Sequence, residues 1–89
     1  MLLIYHISVT NYVMISINSV CSKEGLVSIY SIDECENAIA LIGMNRNVLT
    51  VKDPTYPKGC YDNSGEAYFN THSNDSRHIS SSPICRQTG

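Results

Sequence analysis

The stretch Ser31-Ile32-Asp33-Glu34-Cys35-Glu36-Asn37-Ala38-Ile39-Ala40-Leu41-Ile42-Gly43 decides the fold. Ile32, Cys35, Ile39 and Ile42 recur at spacings of three and four, so one apolar stripe with a cysteine in it faces a core. Ser31 followed three residues later by Glu34 is the capping-box pattern that satisfies free N–H groups at a helix start. Asp33 and Glu34 also suit the positive end of the helix dipole. Gly43 tolerates the left-handed conformation that ends a helix, so the pattern predicts a helix over about residues 32 to 43.

Upstream, Ile7 and Val9, then Val13, Ile15 and Ile17, alternate with polar residues, the period of a half-buried strand, with a break near Asn11. A remnant of a secretory leader and a membrane span are the competing readings of the first twenty residues. The stretch has neither the basic start nor the unbroken apolar run of a leader, and His6, Asn11 and Asn18 argue against a span. The expected organisation is an apolar segment over 1–11, one cysteine-rich domain over 12–86, and a tail over 87–89. Cys21 to Gly25 reads as a turn, and Asn45 to Val51 leads into a second extended segment.

Downstream, Asp53 to Gly59 holds two prolines and forms a rigid loop. Cys60-Tyr61 and Ala67-Tyr68-Phe69 flank Asp62-Asn63-Ser64-Gly65, a hairpin pattern, and Asn70 to Ser82 reads as a polar surface loop before a last strand at Pro83-Ile84-Cys85. The expected fold class is α+β, one helix packed on a small antiparallel sheet of three to five strands, stapled by two disulfides.

Eighty-nine residues make one domain whose core alone is marginal, and four cysteines supply the missing stability. Eight acids and six bases give a net charge of −2 with no basic stripe, which argues against a nucleic-acid partner.

The order Cys21, Asp33-Glu34-Cys35-Glu36-Asn37-Ala38, Pro57-Lys58-Gly59-Cys60-Tyr61, Tyr68-Phe69-Asn70 and Ile84-Cys85 resembles a cysteine-rich module recurrent in extracellular proteins of marine algae and other protists. The resemblance spans residues 12 to 86. Its most specific part is Gly-Cys-Tyr, followed eight residues after the Cys by Tyr-Phe-Asn and closed by Ile-Cys. A helix cysteine facing a strand cysteine is also similar to the arrangement in PAN/apple domains. Such a resemblance implies a secreted or lumenal scaffold or adhesive role and assigns no catalytic residue.

Four cysteines allow three pairings. With Cys35 on the inner helix face and Cys60 following a turn into a central strand, Cys35–Cys60 is the favoured bridge, which leaves Cys21–Cys85. Bridges persist where glutathione does not reduce them, so the expected location is extracellular or secretory, or alternatively a thylakoid lumen. A zinc site is disfavoured because the cysteines stand singly at steps of 14, 25 and 25 residues. No cofactor is expected.

His72, His78 and Asp75 lie among serines 73, 76 and 80–82, but a triad needs preorganisation and an oxyanion hole that a polar loop does not supply. The chain therefore reads as non-enzymatic. Asn74-Asp75-Ser76 is an N-glycosylation sequon. Tyr56, Pro57, Tyr61 and Tyr68 form a candidate contact patch for protein or sugar, with Phe69 beside it. The leading functional expectation is a structural or protein-interaction module in an extracellular or lumenal assembly. The alternatives are an accessory subunit on the lumenal side of a membrane complex such as an algal photosystem, and a carbohydrate-binding module.

Overall fold

The computed structural model describes residues 7–9, 11–45 and 47–87. Of the expected apolar segment over 1–11, residues 1–6 and 10 lie outside the described residues, as do residues 88 and 89 of the expected tail. The apolar alternation at the start resolves into two short strands, β1 (Ile7–Val9) and β2 (Tyr12–Met14), paired antiparallel about the turn at Asn11. A single 3₁₀ turn follows at Cys21–Glu24, closed by Gly25 at φ 74°, and leads to the two-residue strand β3 (Val27–Ser28).

Helix α1 (Ile32–Ile42) begins and ends where its sequence signals place it. The Ser31 hydroxyl accepts the Glu34 N–H at 3.1 Å. Only this half of the capping box forms, because the Glu34 carboxylate turns to the sheet and accepts the Tyr12 hydroxyl at 3.0 Å. Arg86 Nε lies 3.9 Å from the same oxygen. Gly43 caps the C-terminus at φ 98°.

The remaining strands are β4 (Val48–Val51), β5 (Gly59–Asn63), β6 (Glu66–Asn70) and β7 (Ser81–Arg86). The hairpin between β5 and β6 turns at Ser64-Gly65, both at positive φ (55° and 90°), as a tight two-residue hairpin turn requires. Among the described residues the sheet is larger than the three to five strands expected and is mixed: seven strands, of which β4 runs parallel to β6. The parallel pair follows from connectivity. The long link from β4 through the Pro54-Pro57 loop to β5 lets the chain cross over before entering the hairpin, so β4 takes the free edge of β6.

Strand β7 is central. One edge pairs with β2 along Ile84–Arg86, and the other edge pairs with β5 along Ser81–Pro83 and with β3 along Cys85–Arg86. Alternation along the strands then separates two apolar layers. On the helix side, Cys35, Ala38 and Ile39 pack with Tyr12, Ile29, Cys60, Ala67, Phe69 and Ile84. On the opposite side, Val13, Ile15, Cys21 and Cys85 form a smaller cluster with Leu26 against it. The disulfides are Cys35–Cys60 and Cys21–Cys85, one for each layer. Phe69 and Tyr68, adjacent in β6, point to opposite faces, Phe69 into the helix-side core and Tyr68 beside Tyr61 on the other face. No helix of the described residues is long and apolar enough to cross a membrane.

Candidate functional site

Tyr61 of β5 and Tyr68 of β6 are register partners, so their side chains rise together from the face away from the helix. Their ring centroids are 5.2 Å apart and nearly parallel. Tyr56, from the Pro54-Pro57 loop, stacks on the other side of Tyr61 at 5.3 Å, and His78 stacks on Tyr56 at 4.0 Å. Four rings from four separate stretches of chain thus form one ladder. Leu49 of β4, 51 % exposed, is the register partner of Tyr68 and extends the row at the sheet edge. Ile79, 74 % exposed, follows His78 at the other end, where the Asn18 N–H donates to the His78 carbonyl and draws in the segment carrying the exposed Ile17.

Asn70 positions Tyr56. Its buried side chain donates to the carbonyls of Asp53 (2.8 Å), Tyr56 (3.3 Å) and Pro57 (3.0 Å). Its amide oxygen accepts the N–H groups of Asp53 (3.0 Å) and His72 (3.1 Å). One side chain therefore satisfies five backbone groups of two irregular segments that have no ladder partners of their own. Asp53 tightens the same loop by accepting the Thr55 N–H and hydroxyl, which hold its carboxyl below the usual range.

Of the four residues expected to form a contact patch, Tyr56 and Tyr68 are partly exposed. Tyr61 is 2 % exposed and Pro57 is buried beneath them, so these two support the surface rather than form it. Burial pushes the Tyr61 phenol far above its ordinary value, with the neighbouring Tyr56 and Tyr68 adding to the effect. His78 joins the ladder without any sequence signal, because its partner Tyr56 is 22 residues away and reached only through the fold.

The loop histidines and acid do not converge. His78 Nδ1 accepts the Ser80 N–H at 3.2 Å and lies 2.9 Å from the Ser80 hydroxyl, while His72 Nδ1 accepts the Asn74 N–H at 3.0 Å. Asp75 accepts the Lys58 N–H at 3.2 Å. Each group is engaged in shaping its own turn, and all four cysteine sulfurs are in disulfides. Asn74 is exposed, as a glycan acceptor must be, and the Ser76 hydroxyl of its sequon donates to the Pro54 carbonyl at 2.8 Å.

A second feature is a cleft of about 350 Å³ at the end of the sheet where β5 begins and β6 ends. Ile29, Gly59 and Phe69 line it together with Tyr30, Lys58 and the Thr71–Ser73 segment. No family model, curated protein or solved structure matches the chain.

Proposed function

We infer that the chain is a non-enzymatic interaction module of an extracellular or lumenal assembly, and that it meets a partner protein along the Leu49–Tyr68–Tyr56–His78–Ile79 row. The observation that carries this reading is the ladder itself. Loop 53–57, both hairpin strands and the loop before β7 are all held so that an aromatic row stands at the surface between two exposed aliphatic side chains. Aromatic rows of this kind supply large contact area with little rotamer entropy to lose, which is how a few anchors come to dominate an interface.

The two buried disulfides are compatible with an oxidising compartment. The sequence resemblance implies a secreted or a lumenal role alike, and a glycan on Asn74 of the native protein would favour the secretory route over a thylakoid lumen. Protein is favoured over sugar at the ladder because Tyr61 lies between two rings and Tyr56 between Tyr61 and His78, leaving neither with a free face.

The test is quantitative affinity capture from the source's extracellular fraction, comparing the oxidised wild type with the triple variant Leu49→Ser, Tyr68→Ser, Ile79→Ser. Near-UV circular dichroism confirms that both are folded. Proteins retained by the wild type and lost by the variant identify the partner; identical retention by the two would remove the ladder as the interface.

A further inference from the structure

The cleft at the sheet end has a built polarity that the ladder lacks. Its floor exists because β3 and β5 share one edge of β7 and meet end to end. There Gly59, at φ 80°, comes so close to Ile29 that a Cβ on it would stand 2.6 Å from the Ile29 carbonyl oxygen. With Phe69 beside it, this junction makes an apolar base. One wall is the Tyr30 ring, 67 % exposed, with Lys58 Nζ 6.0 Å from its centroid. Among the described residues Lys58 is the only formally charged side chain lining the cleft, in a chain whose net charge is −2. Among the described residues its ammonium makes no ion pair, and Asp75 accepts the Lys58 backbone N–H instead.

The facing rim is Thr71, His72 and Ser73. Because His72 Nδ1 accepts the Asn74 N–H, the neutral ring carries its hydrogen on Nε2, which is left as a donor. The Thr71 hydroxyl donates to the Val51 carbonyl at 3.2 Å and so retains its lone pairs for an incoming hydroxyl, and Ser73 is exposed. The cleft thus offers one cation, one aromatic wall and a short row of neutral donors and acceptors, in a volume within the roughly 300–1,000 Å³ of small-ligand sites.

We propose that this cleft binds an acidic sugar, a hexuronate residue of a glycan, with its pyranose ring against Tyr30, its carboxylate on Lys58 and its hydroxyls on the Thr71–Ser73 rim. A neutral sugar leaves the lysine without a counter-charge. A fatty or aryl acid matches the lysine and the floor but leaves the polar rim unpaired, which costs affinity. This site is separate from the ladder and does not depend on it.

The experiment is a ¹H–¹⁵N chemical-shift titration of the oxidised protein with a glucuronate-containing trisaccharide, a neutral glucose trisaccharide and an acetylated tripeptide acid. The expected result is shifts centred on Tyr30, Gly59 and Thr71–Ser73, with the acidic sugar bound at least about tenfold more tightly than either other probe. Lys58→Met and Tyr30→Ala each weaken it about tenfold. Lys58→Arg restores binding, and Tyr56→Ala leaves it unchanged. Thermal melts of each variant show that the fold is retained. An absence of shifts at the cleft under excess acidic sugar, equal affinity for the neutral sugar, or tighter binding of the tripeptide acid would each overturn the proposal.

Discussion

Asn70 shows how much a single buried amide can organise. Its five bonds reach the 53–57 loop and the start of the 71–80 loop, so both segments on either side of the ladder hang on one side chain. Asn70→Asp keeps the two accepted bonds but turns a carboxylate toward three carbonyls. We expect it to cost about 3 kcal/mol or more in chemical denaturation, and to reduce the near-UV signal of the tyrosines as Tyr56 leaves the stack. Asp62 is the opposite case. One of its carboxylate oxygens is buried without a hydrogen-bond partner, and burial raises its pKa against the opposing Gly65 N–H. A carboxyl raised in the folded state binds its proton more tightly there, so its contribution is fully present below the ordinary value of 3.8 and is lost as the pH rises through the folded value. Asp62→Asn therefore raises the melting temperature at pH 7, and this gain disappears below about pH 3.8; a gain that is independent of pH would rule out the ionisation as its cause.

At the scale of elements, two glycines that share a positive φ carry different loads. Gly43 ends α1 at φ 98° with open space around it, so Gly43→Ala meets only backbone strain, about 1 kcal/mol. Gly59 starts β5 at φ 80° and also touches the Ile29 carbonyl, so Gly59→Ala must push β3 and β5 apart where they share β7. It is expected to cost at least about 2 kcal/mol more than Gly43→Ala, read as the difference between their denaturation midpoints. The helix is tied to the sheet by the Cys35–Cys60 bridge and by the Tyr12–Glu34–Arg86 contacts. That second tie explains why the capping box is half made: the carboxylate that would close it serves the sheet instead.

For the whole molecule, the two bridges act on different layers and close loops of different length. In the chain-entropy model, the 25-residue separation of Cys35–Cys60 contributes roughly 3.5 kcal/mol and the 64-residue separation of Cys21–Cys85 roughly 4.3 kcal/mol. Either is comparable to the net stability of a domain this small. All four cysteines are at most 2 % exposed, so reductant reaches the sulfurs only when the domain opens. In native buffer, alkylation after dithiothreitol treatment should therefore be slow and should accelerate steeply as denaturant approaches the unfolding midpoint. Fast alkylation of one pair without denaturant would show that its layer opens independently of the other.

Local patterns made much of this legible in advance. The helix from Ser31 to Gly43, the β5–β6 hairpin, the α+β class and the pairing of the helix cysteine with Cys60 all follow from periodicity, capping and turn chemistry, which act between residues close in sequence. The tyrosines at 56, 61 and 68 stood out by composition and turn context, yet which of them reach the surface did not. Tyr61 is buried because neighbours distant in sequence sandwich it, and His78 belongs to the ladder only because the loop before β7 folds back over the loop carrying Tyr56. The parallel β4–β6 pair, the central place of β7 and the cleft between Tyr30 and His72 were likewise invisible in the sequence. Each is decided by which strand edge remains open after the hairpin and the helix have formed. The sequence by itself determined the helix, the β5–β6 hairpin and a favoured pairing of its four cysteines; the tertiary structure decided the number and order of the strands and the company each side chain keeps, because those depend on long-range pairing that no local pattern encodes.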